Sequence, residues 1–282
     1  MNSFETYLDN FIDAAIREDV GDGDHSSLAC IPADAVGRAQ LIVKQDGIIA
    51  GIDIARAVFQ KLEPTTNFVK MIDDGQAVKV GDIAFKVECR TQSLLLAERL
   101  VLNIMQHMSG IATTTNKYVR LLDGLDTRIL DTRKTTPGMR LLDKMAVKIG
   151  GGVNHRIGLF DMIMLKDNHV DFAGGIPQAI ARVKQYLAST GRDLKIEIEV
   201  RNLDELEQVL TTGGVHRIML DNFDLETTRE AVKRINHQYE TESSGGITAQ
   251  TIRSYAECGV DFISVGALTH HVESLDMSLK AY

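Results

Sequence analysis

Apolar side chains at Phe4, Leu8, Phe11, Ile12, Ala15 and Ile16 recur at helical spacing, which predicts an amphipathic helix over residues 4–18. Val20-Gly21-Asp22-Gly23-Asp24 then breaks it. Residues 38–53 alternate in strand fashion around an Asp46-Gly47 turn, and a helix is expected over 54–62, ending before Pro64. Runs at 68–72, 77–80 and 83–88, separated by Asp73-Asp74-Gly75 and Gly81-Asp82, predict a small β-meander. Leu94, Ala97, Val101, Ile104, Met105 and Met108 form the stripe of a helix over 93–108. Arg99, Asn103 and Gln106 fall on its opposite face, where spacing alone predicts solvent. The polar and small residues 109–114 suggest a domain boundary near 110, before a further helix to 122.

Beyond that point short apolar runs end in polar residues or glycine. Ile129-Leu130 precedes Asp131, residues 162–165 precede Lys166, 196–198 precede Glu199 and 218–220 precede Asp221. A weaker run near Tyr239 leads to Ser243-Ser244-Gly245-Gly246, and 262–265 lead to Gly266. Helix-like stretches lie between, at 176–187, 203–210, 227–235 and 249–258. This alternation is the layout of a (β/α) barrel, with polar groups gathered at the strands' C-terminal ends, and it is preferred over a doubly wound open sheet. The fold class expected is α/β: an N-terminal α+β domain at 1–110, then an incomplete, irregular TIM-like (β/α) barrel of about six or seven strands at 111–270. Residues 271–282 are expected to form a C-terminal helix that packs back on the first domain.

Charge sharpens this picture. The chain of 282 residues has a net charge of -8, yet residues 131–169 carry seven Lys or Arg against four Asp. That is +3 locally and -11 elsewhere, which points to a small polyanionic ligand. A nucleic-acid surface would be more broadly basic and richer in aromatics than the 5% found here, with no Trp. Three scattered cysteines, Cys30, Cys89 and Cys258, indicate neither a disulfide framework nor a zinc site. The acidic N-terminus and the absence of a long apolar run predict a cytoplasmic protein without a membrane segment.

If the strand ends converge, one rim carries Arg133, Lys134, His155, Arg156 and Lys166 beside Glu199 and Asp221. Guanidinium groups match carboxylates or phosphates in bidentate fashion, and lysines supply compact charges. Two carboxylates among these cations fit a divalent metal that bridges to a phosphorylated substrate, or hydrogen bonding to sugar hydroxyls. They also fit simple neutralisation of buried lysines. Ser243-Ser244-Gly245-Gly246-Ile247 and Gly266-Ala267 follow the last two strands, where barrels often build phosphate sites from backbone N–H groups.

The motifs on these segments resemble those of the quinolinate phosphoribosyltransferase family along nearly the whole chain. They are E-R-x-x-L-N…S-G-I-A-T at 98–113, D-T-R-K-T-T-P-G at 131–138 and G-G-G-x-N-H-R-x-G-L at 150–159. L-K-D-N-H at 165–169, E-x-E-V at 197–200, L-D-N at 220–222, S-S-G-G-I at 243–247 and V-G-A-L-T-H at 265–270 complete the set. Residues such as His107 in the first motif are less typical.

The resemblance implies an enzyme that transfers a phosphoribosyl group from 5-phosphoribosyl pyrophosphate to quinolinate with decarboxylation, in NAD biosynthesis. By the family pattern Arg133 and Arg156, with Arg99 from a neighbouring subunit, bind the two carboxylates, and His155 and Lys166 line the same pocket. Lys134 falls near the phosphates, and Glu199 and Asp221 near Mg2+ and the ribose hydroxyls. Ser244, Gly245, Gly246 and Gly266 are expected around the 5-phosphate, and Ala267 and His270 are further expected substrate-binding residues. Lys134, Lys166, Glu199 and Asp221 are the expected catalytic residues, in a homodimer with a shared active site. Two rivals are a paralogous ribosyltransferase-like protein associated with molybdate genes and a non-catalytic sugar-phosphate sensor, the latter disfavoured by the presence of Glu199 and Asp221.

Overall fold

The structure is a computed structural model that describes residues 4–282. In chain order its first half comprises α1 (Phe4–Val20), α2 (His25–Cys30), β1 (Val36–Val43), β2 (Gly47–Ile48), α3 (Ile52–Leu62), β3 (Asn67–Lys70), β4 (Ala77–Val78), β5 (Ile83–Arg90) and α4 (Thr91–Leu121). There follow β6 (Arg128–Leu130), α5 (Arg140–Ile149), β7 (Ile163–Leu165), α6 (Asp167–Ala173), α7 (Ile176–Thr190), β8 (Ile196–Val200) and α8 (Leu203–Thr212). The remainder is β9 (Arg217–Asp221), α9 (Leu225–Ile235), β10 (Glu240–Ser244), α10 (Ile252–Ala256), β11 (Phe262–Ser264), α11 (Ala267–His270) and β12 (Met277–Ala281). These elements form two compact units. One contains the chain up to Asn116 with 136–151 and 268–282, and the other contains 117–135 and 152–267.

The first unit is built on a four-stranded antiparallel sheet in the order β12-β1-β5-β3. Alternation along β1 turns Ala39, Leu41 and Val43 into the core. Phe59 of α3 meets Phe85 edge-on at 6.1 Å, and Phe68 stacks on Phe85 at 4.5 Å. Aromatic pairs in these geometries add to the stabilisation from area burial alone.

Three expectations change here. Residues 93–122 are not two helices with a break at 110 but a continuous α4 of 31 residues. Glycine at 110 disfavours helix by about 1 kcal/mol, yet Ile111, Ala112 and Thr115 extend the buried stripe beyond it, and tertiary burial outweighs that cost. Second, the C-terminal residues form a strand, not a helix: Met277 and Leu279 are buried while Ser278 and Lys280 are not, a period of two, and Leu279 pairs with Leu41. Gln106, expected to face solvent, ties this segment down, for its carbonyl accepts the Leu275 N–H at 3.0 Å and its side chain donates to the Met277 carbonyl at 3.0 Å.

Third, the units divide at Asn116 rather than 110, and residues 136–151 and 268–270 join the first unit instead of the barrel. Local contacts hold α5 there. His107 lies 2.7 Å from the fully buried Asp143, Tyr7 donates to the Gly138 carbonyl at 2.6 Å, and Gly150 packs so tightly that a Cβ would sit 2.5 Å from the Ala112 carbonyl. The less typical His107 therefore has a structural partner.

The second unit is a six-stranded parallel sheet in the order β6-β11-β10-β9-β8-β7. Consecutive strands are neighbours from β7 to β11, and β11 returns to β6, so the sheet curls as a barrel does and stays open between β6 and β7. At the opening Val153 makes an isolated parallel bridge to Leu130. This is the expected incomplete barrel, with six strands. Its helices alternate with the strands as expected, although α10 is shorter than residues 249–258 and α6 is an addition.

Gly110→Ala tests the close approach that α4 makes to the C-terminal segment, because the new Cβ would lie 2.3 Å from the Glu273 backbone oxygen. The gain in helix propensity, about 1 kcal/mol, is smaller than the ~1–3 kcal/mol cost of overpacking against backbone, so net destabilisation is expected. Thermal unfolding should show a lower Tm; an unchanged or higher Tm would refute the packing argument.

Candidate active site

Side chains alternate along each strand of the open barrel, so Glu197 and Glu199 share one face, as do Arg217, Met219 and Asp221. The register places Glu197 opposite Arg217 and Glu199 opposite Met219. The expected site residues of this unit follow the strand C-termini: Arg133 and Lys134 after β6, Lys166 after β7, Glu199 and Asp221 at the ends of β8 and β9. Ser244 ends β10, with Gly245 and Gly246 beyond it, and Gly266 and Ala267 follow β11.

The loop that carries His155 and Arg156 is fixed by aspartates. Asp131 is fully buried and accepts the His155 N–H at 2.8 Å and the Asn154 amide at 2.6 Å. Asp161 accepts the N–H groups of Ile157 at 2.7 Å and Gly158 at 2.8 Å. Arg156, buried, is held by one guanidinium hydrogen bond to the Met162 carbonyl at 3.3 Å. Burial and then the positive charge of Arg133 push Arg156 below the usual guanidinium range. Nε of Arg133 is buried and has no hydrogen-bond partner among the described residues. Two guanidinium groups that repel each other form a receptor for a carboxylate or phosphate.

Lys166 Nζ is 3.3 Å from Glu199 Oε2. Burial raises the Glu199 carboxyl, Lys166 opposes the rise and the charge of Asp221 adds to it. Asp221 is itself held by Asn222, whose amide donates to it at 2.8 Å. Asn222 takes the left-handed conformation at φ 56°, and its N–H is bonded to the Ser244 carbonyl at 2.8 Å. Gly245 is pressed against this residue: at φ 104° a Cβ would lie 2.2 Å from Asn222 Oδ1. The two rim loops after β9 and β10 are thereby locked together.

Deeper in the barrel is a buried group of charges. His155 Nε2 is 3.0 Å from Glu197 and 3.4 Å from Glu242, and Arg217 reaches Glu242 at 3.3 Å, Glu197 at 3.7 Å and Glu240 at 2.9 Å. Burial alone would lower the His155 imidazole, but the two carboxylates outweigh it and carry it up to about 9. The Arg156 N–H, 2.7 Å from His155 Nδ1, pulls the other way, since a protonated Nδ1 has no lone pair to accept it. Sequence reasoning passed over Glu242 and Arg217, and gave Asn222 no role beyond its place in the L-D-N motif. Charged residues at alternate positions of strands that are buried on both faces, in I-E-I-E-V and E-T-E-S-S, were the available signal. His155, Glu197 and Glu242 have the donor types of a metal centre, with ligand atoms within 4.8 Å of one another. The Arg217 guanidinium already supplies the compensating cation, so the set does not fit an added metal.

Arg99 and His270 are in the first unit. Arg99 is exposed on α4, and His270 is exposed at the end of α11 with its Nδ1 2.5 Å from that of His271.

An open parallel barrel with paired guanidinium groups, an acidic pair and glycine loops on its C-terminal rim defines a protein for phosphorylated, polyanionic small molecules. The chain belongs to the quinolinate phosphoribosyltransferase family: residues 24–109 match the description "Quinolinate phosphoribosyl transferase, N-terminal domain" and 111–280 match "Quinolinate phosphoribosyl transferase, C-terminal domain". It is 44% identical over 288 aligned residues to the decarboxylating quinolinate phosphoribosyltransferase 1b of Nicotiana tabacum, a match that covers 97% of this chain and 82% of that protein. Among solved structures, NadC from Streptococcus pyogenes superposes with a TM-score of 0.92 at 36% identity, covering 100% of this chain and 99% of the other. The nicotinate-nucleotide pyrophosphorylase from Francisella tularensis gives a TM-score of 0.92 at 37% identity, with coverage of 100% and 98%. No helix among the described residues is long and apolar enough to cross a membrane.

Gly245 and Gly246 separate backbone strain from rim packing. An added Cβ at Gly246, φ 60°, meets open space, whereas at Gly245 it collides with Asn222. Gly246→Ala should carry only the left-handed strain of ~1–2 kcal/mol. Gly245→Ala should also displace Asn222 and Asp221 and lower catalytic efficiency at least about tenfold further. Equal steady-state kinetics for the two variants would refute the coupling of the loops.

Proposed function

We propose that the protein transfers the phosphoribosyl group of 5-phosphoribosyl pyrophosphate to the ring nitrogen of quinolinate, releasing pyrophosphate and CO2 and giving nicotinate mononucleotide for NAD biosynthesis. The observation that carries this reading is the pair Arg133 and Arg156, two buried or half-buried guanidinium groups that raise each other's energy and that a dicarboxylate would relieve. Membership of the family and the relatives' names support it.

In this reading Arg133, Arg156, His155 and Lys166 hold quinolinate, and Lys134 serves the phosphates. Ser244, Gly245, Gly246, Gly266 and Ala267 bind the 5-phosphate, their backbone N–H groups donating to it. Glu199 and Asp221 offer hard carboxylate oxygens whose mutual repulsion is felt at Glu199, a donor set that fits Mg2+. Bound there, the ion would neutralise charge on the departing pyrophosphate. The same two carboxylates stabilise positive character at the anomeric carbon and accept from the ribose hydroxyls. Once ribosylated, the ring nitrogen is an electron sink; the adjacent carboxylate leaves as CO2, and the electron pair left on the ring carbon takes up a proton from solvent with little acid–base help from the chain. Three free cysteines support a cytoplasmic location.

We also propose a homodimer whose sites take Arg99 from the partner. Exposure of Arg99 and of the apolar Leu95 beside it on α4 supports a surface that a second copy covers.

Purified protein should form nicotinate mononucleotide from quinolinate and 5-phosphoribosyl pyrophosphate, and chelation of divalent cations should abolish this. Nicotinate should be a poor substrate, because one carboxylate leaves an arginine uncompensated; equal turnover of the two acids would sink the assignment. Arg133→Lys should raise the quinolinate Kd about tenfold or more, since an ammonium cannot reproduce the guanidinium fork.

The shared site is tested by mixing. Arg99→Ala and Lys166→Ala proteins, each nearly inactive, should recover roughly a quarter of wild-type sites when unfolded and refolded together, because one site of each mixed dimer escapes both defects. Mixed dimers that stay inactive would show that Arg99 serves its own chain.

A further inference from the structure

The transfer chemistry makes no direct use of the charges inside the barrel. Glu197 and Glu242 are both fully buried, and Arg217 is nearly so. Arg217 stacks over the Phe262 ring at 4.2 Å, and Arg128 approaches the same ring at 4.7 Å, so the guanidinium that compensates the two glutamates is fixed in place. Such groups are poor stabilisers. Apolar residues of equal volume would often serve stability as well or better, because desolvation offsets most of the attraction between buried charges. A role in specifying geometry is the better account.

The geometry shows what is specified. Glu197 and Glu242 lie against one edge of the His155 ring, 3.0 and 3.4 Å from Nε2, as buried ion-pair contacts rather than aligned hydrogen bonds. At the opposite edge Nδ1 accepts the Arg156 N–H at 2.7 Å. The ring is thus a spacer between the barrel interior and the backbone of Arg156, while Asp131 holds the His155 N–H. Among the described residues Arg156 has one guanidinium hydrogen bond, so its backbone anchor bears on where its charge sits relative to Arg133.

We propose that Glu197 and Glu242 are positioning residues for quinolinate recognition: they clamp the His155 ring through Nε2, and the ring holds Arg156 beside Arg133 against their repulsion. Arg217 balances the two carboxylates without touching the substrate. The proposal rests on the reading of this protein as a quinolinate phosphoribosyltransferase, and it adds two residues that act on one substrate only.

Glu197→Leu removes the closer contact, and Glu197→Gln keeps an oxygen of the same shape. With Glu197→Leu the KM for quinolinate should rise about tenfold or more while the KM for 5-phosphoribosyl pyrophosphate stays within about twofold. Glu197→Gln should recover the quinolinate KM to within about threefold of wild type. A general structural defect would instead move both KM values and kcat together, and that result, or an unchanged quinolinate KM, overturns the proposal. A second measurement is read on the wild-type protein. In 15N-histidine-labelled wild-type protein the His155 Nε2–H, assigned by its loss in His155→Asn, should give a ring N–H resonance protected from solvent exchange. A rapidly exchanging Nε2 proton shows that the clamp does not exist. The ring measurement is made without turnover, so it stands apart from the assignment itself, which fails if wild-type protein makes no nicotinate mononucleotide from quinolinate.

Discussion

Charge buried inside the open barrel has to be compensated inside it, and the Arg217 guanidinium is the group on which that compensation turns. It lies within 3.7 Å of Glu197, Glu240 and Glu242 while its face rests on Phe262. A parallel barrel is ordinarily filled with layers of branched aliphatic side chains. Here the alternation of β8, β9 and β10 puts charge into the interior instead, and without the arginine two carboxylates would face each other in a medium that penalises even one. Burial and Glu242 already raise the Glu197 carboxyl, with His155 and Arg217 opposing them. The interior works as a charge-balanced frame beneath the rim.

What the sequence made legible follows from which interactions are local. Strand ends announced themselves because apolar runs stop at Asp131, Lys166, Glu199 and Asp221, and in a parallel barrel each stop is a rim position. The motif residues of the rim were therefore found one strand at a time. The C-terminal strand was missed for the opposite reason: β12 is five residues long and pairs with β1 across more than two hundred residues of chain, which no window of sequence contains. Gly110 misled because glycine is a local breaker, whereas the burial of Ile111 and Ala112 that overrides it is tertiary. Arg217, Glu240 and Glu242 escaped because their meaning lies in cross-strand register, with Arg217 opposite both Glu197 and Glu240.

The rim offers an anion two kinds of surface, and the difference is physical. The loop at Gly245 and Gly246 brings backbone close, with both residues at positive φ, and backbone N–H groups suit a phosphate that presents oxygens in many directions. The Arg133 and Arg156 side of the rim presents planar forks, and these suit planar carboxylates approached in one orientation. A backbone cradle needs only a fixed loop, which the Asn222 bond to Ser244 supplies. A fork on a long side chain has to be aimed, and this is what the contacts of Asp131, Asp161 and His155 do for residues 155–158.

Aiming two guanidinium groups at one point stores repulsion, and that repulsion can act as a selector. A ligand that brings one negative charge relieves part of it and leaves the remainder buried, whereas a ligand with two charges set at a fixed angle relieves both guanidinium groups at once. The gain is therefore steeper than additive in ligand charge, provided the arginines cannot move apart to lower their own energy before the ligand arrives. In the structure they stand close enough that burial and then the charge of Arg133 push Arg156 below the usual guanidinium range. Holding them there requires a scaffold stiffer than a loop, and the buried ion cluster, anchored on three neighbouring strands, has that stiffness. His155 thus touches the charge in the barrel interior at one ring edge and the backbone of a rim arginine at the other.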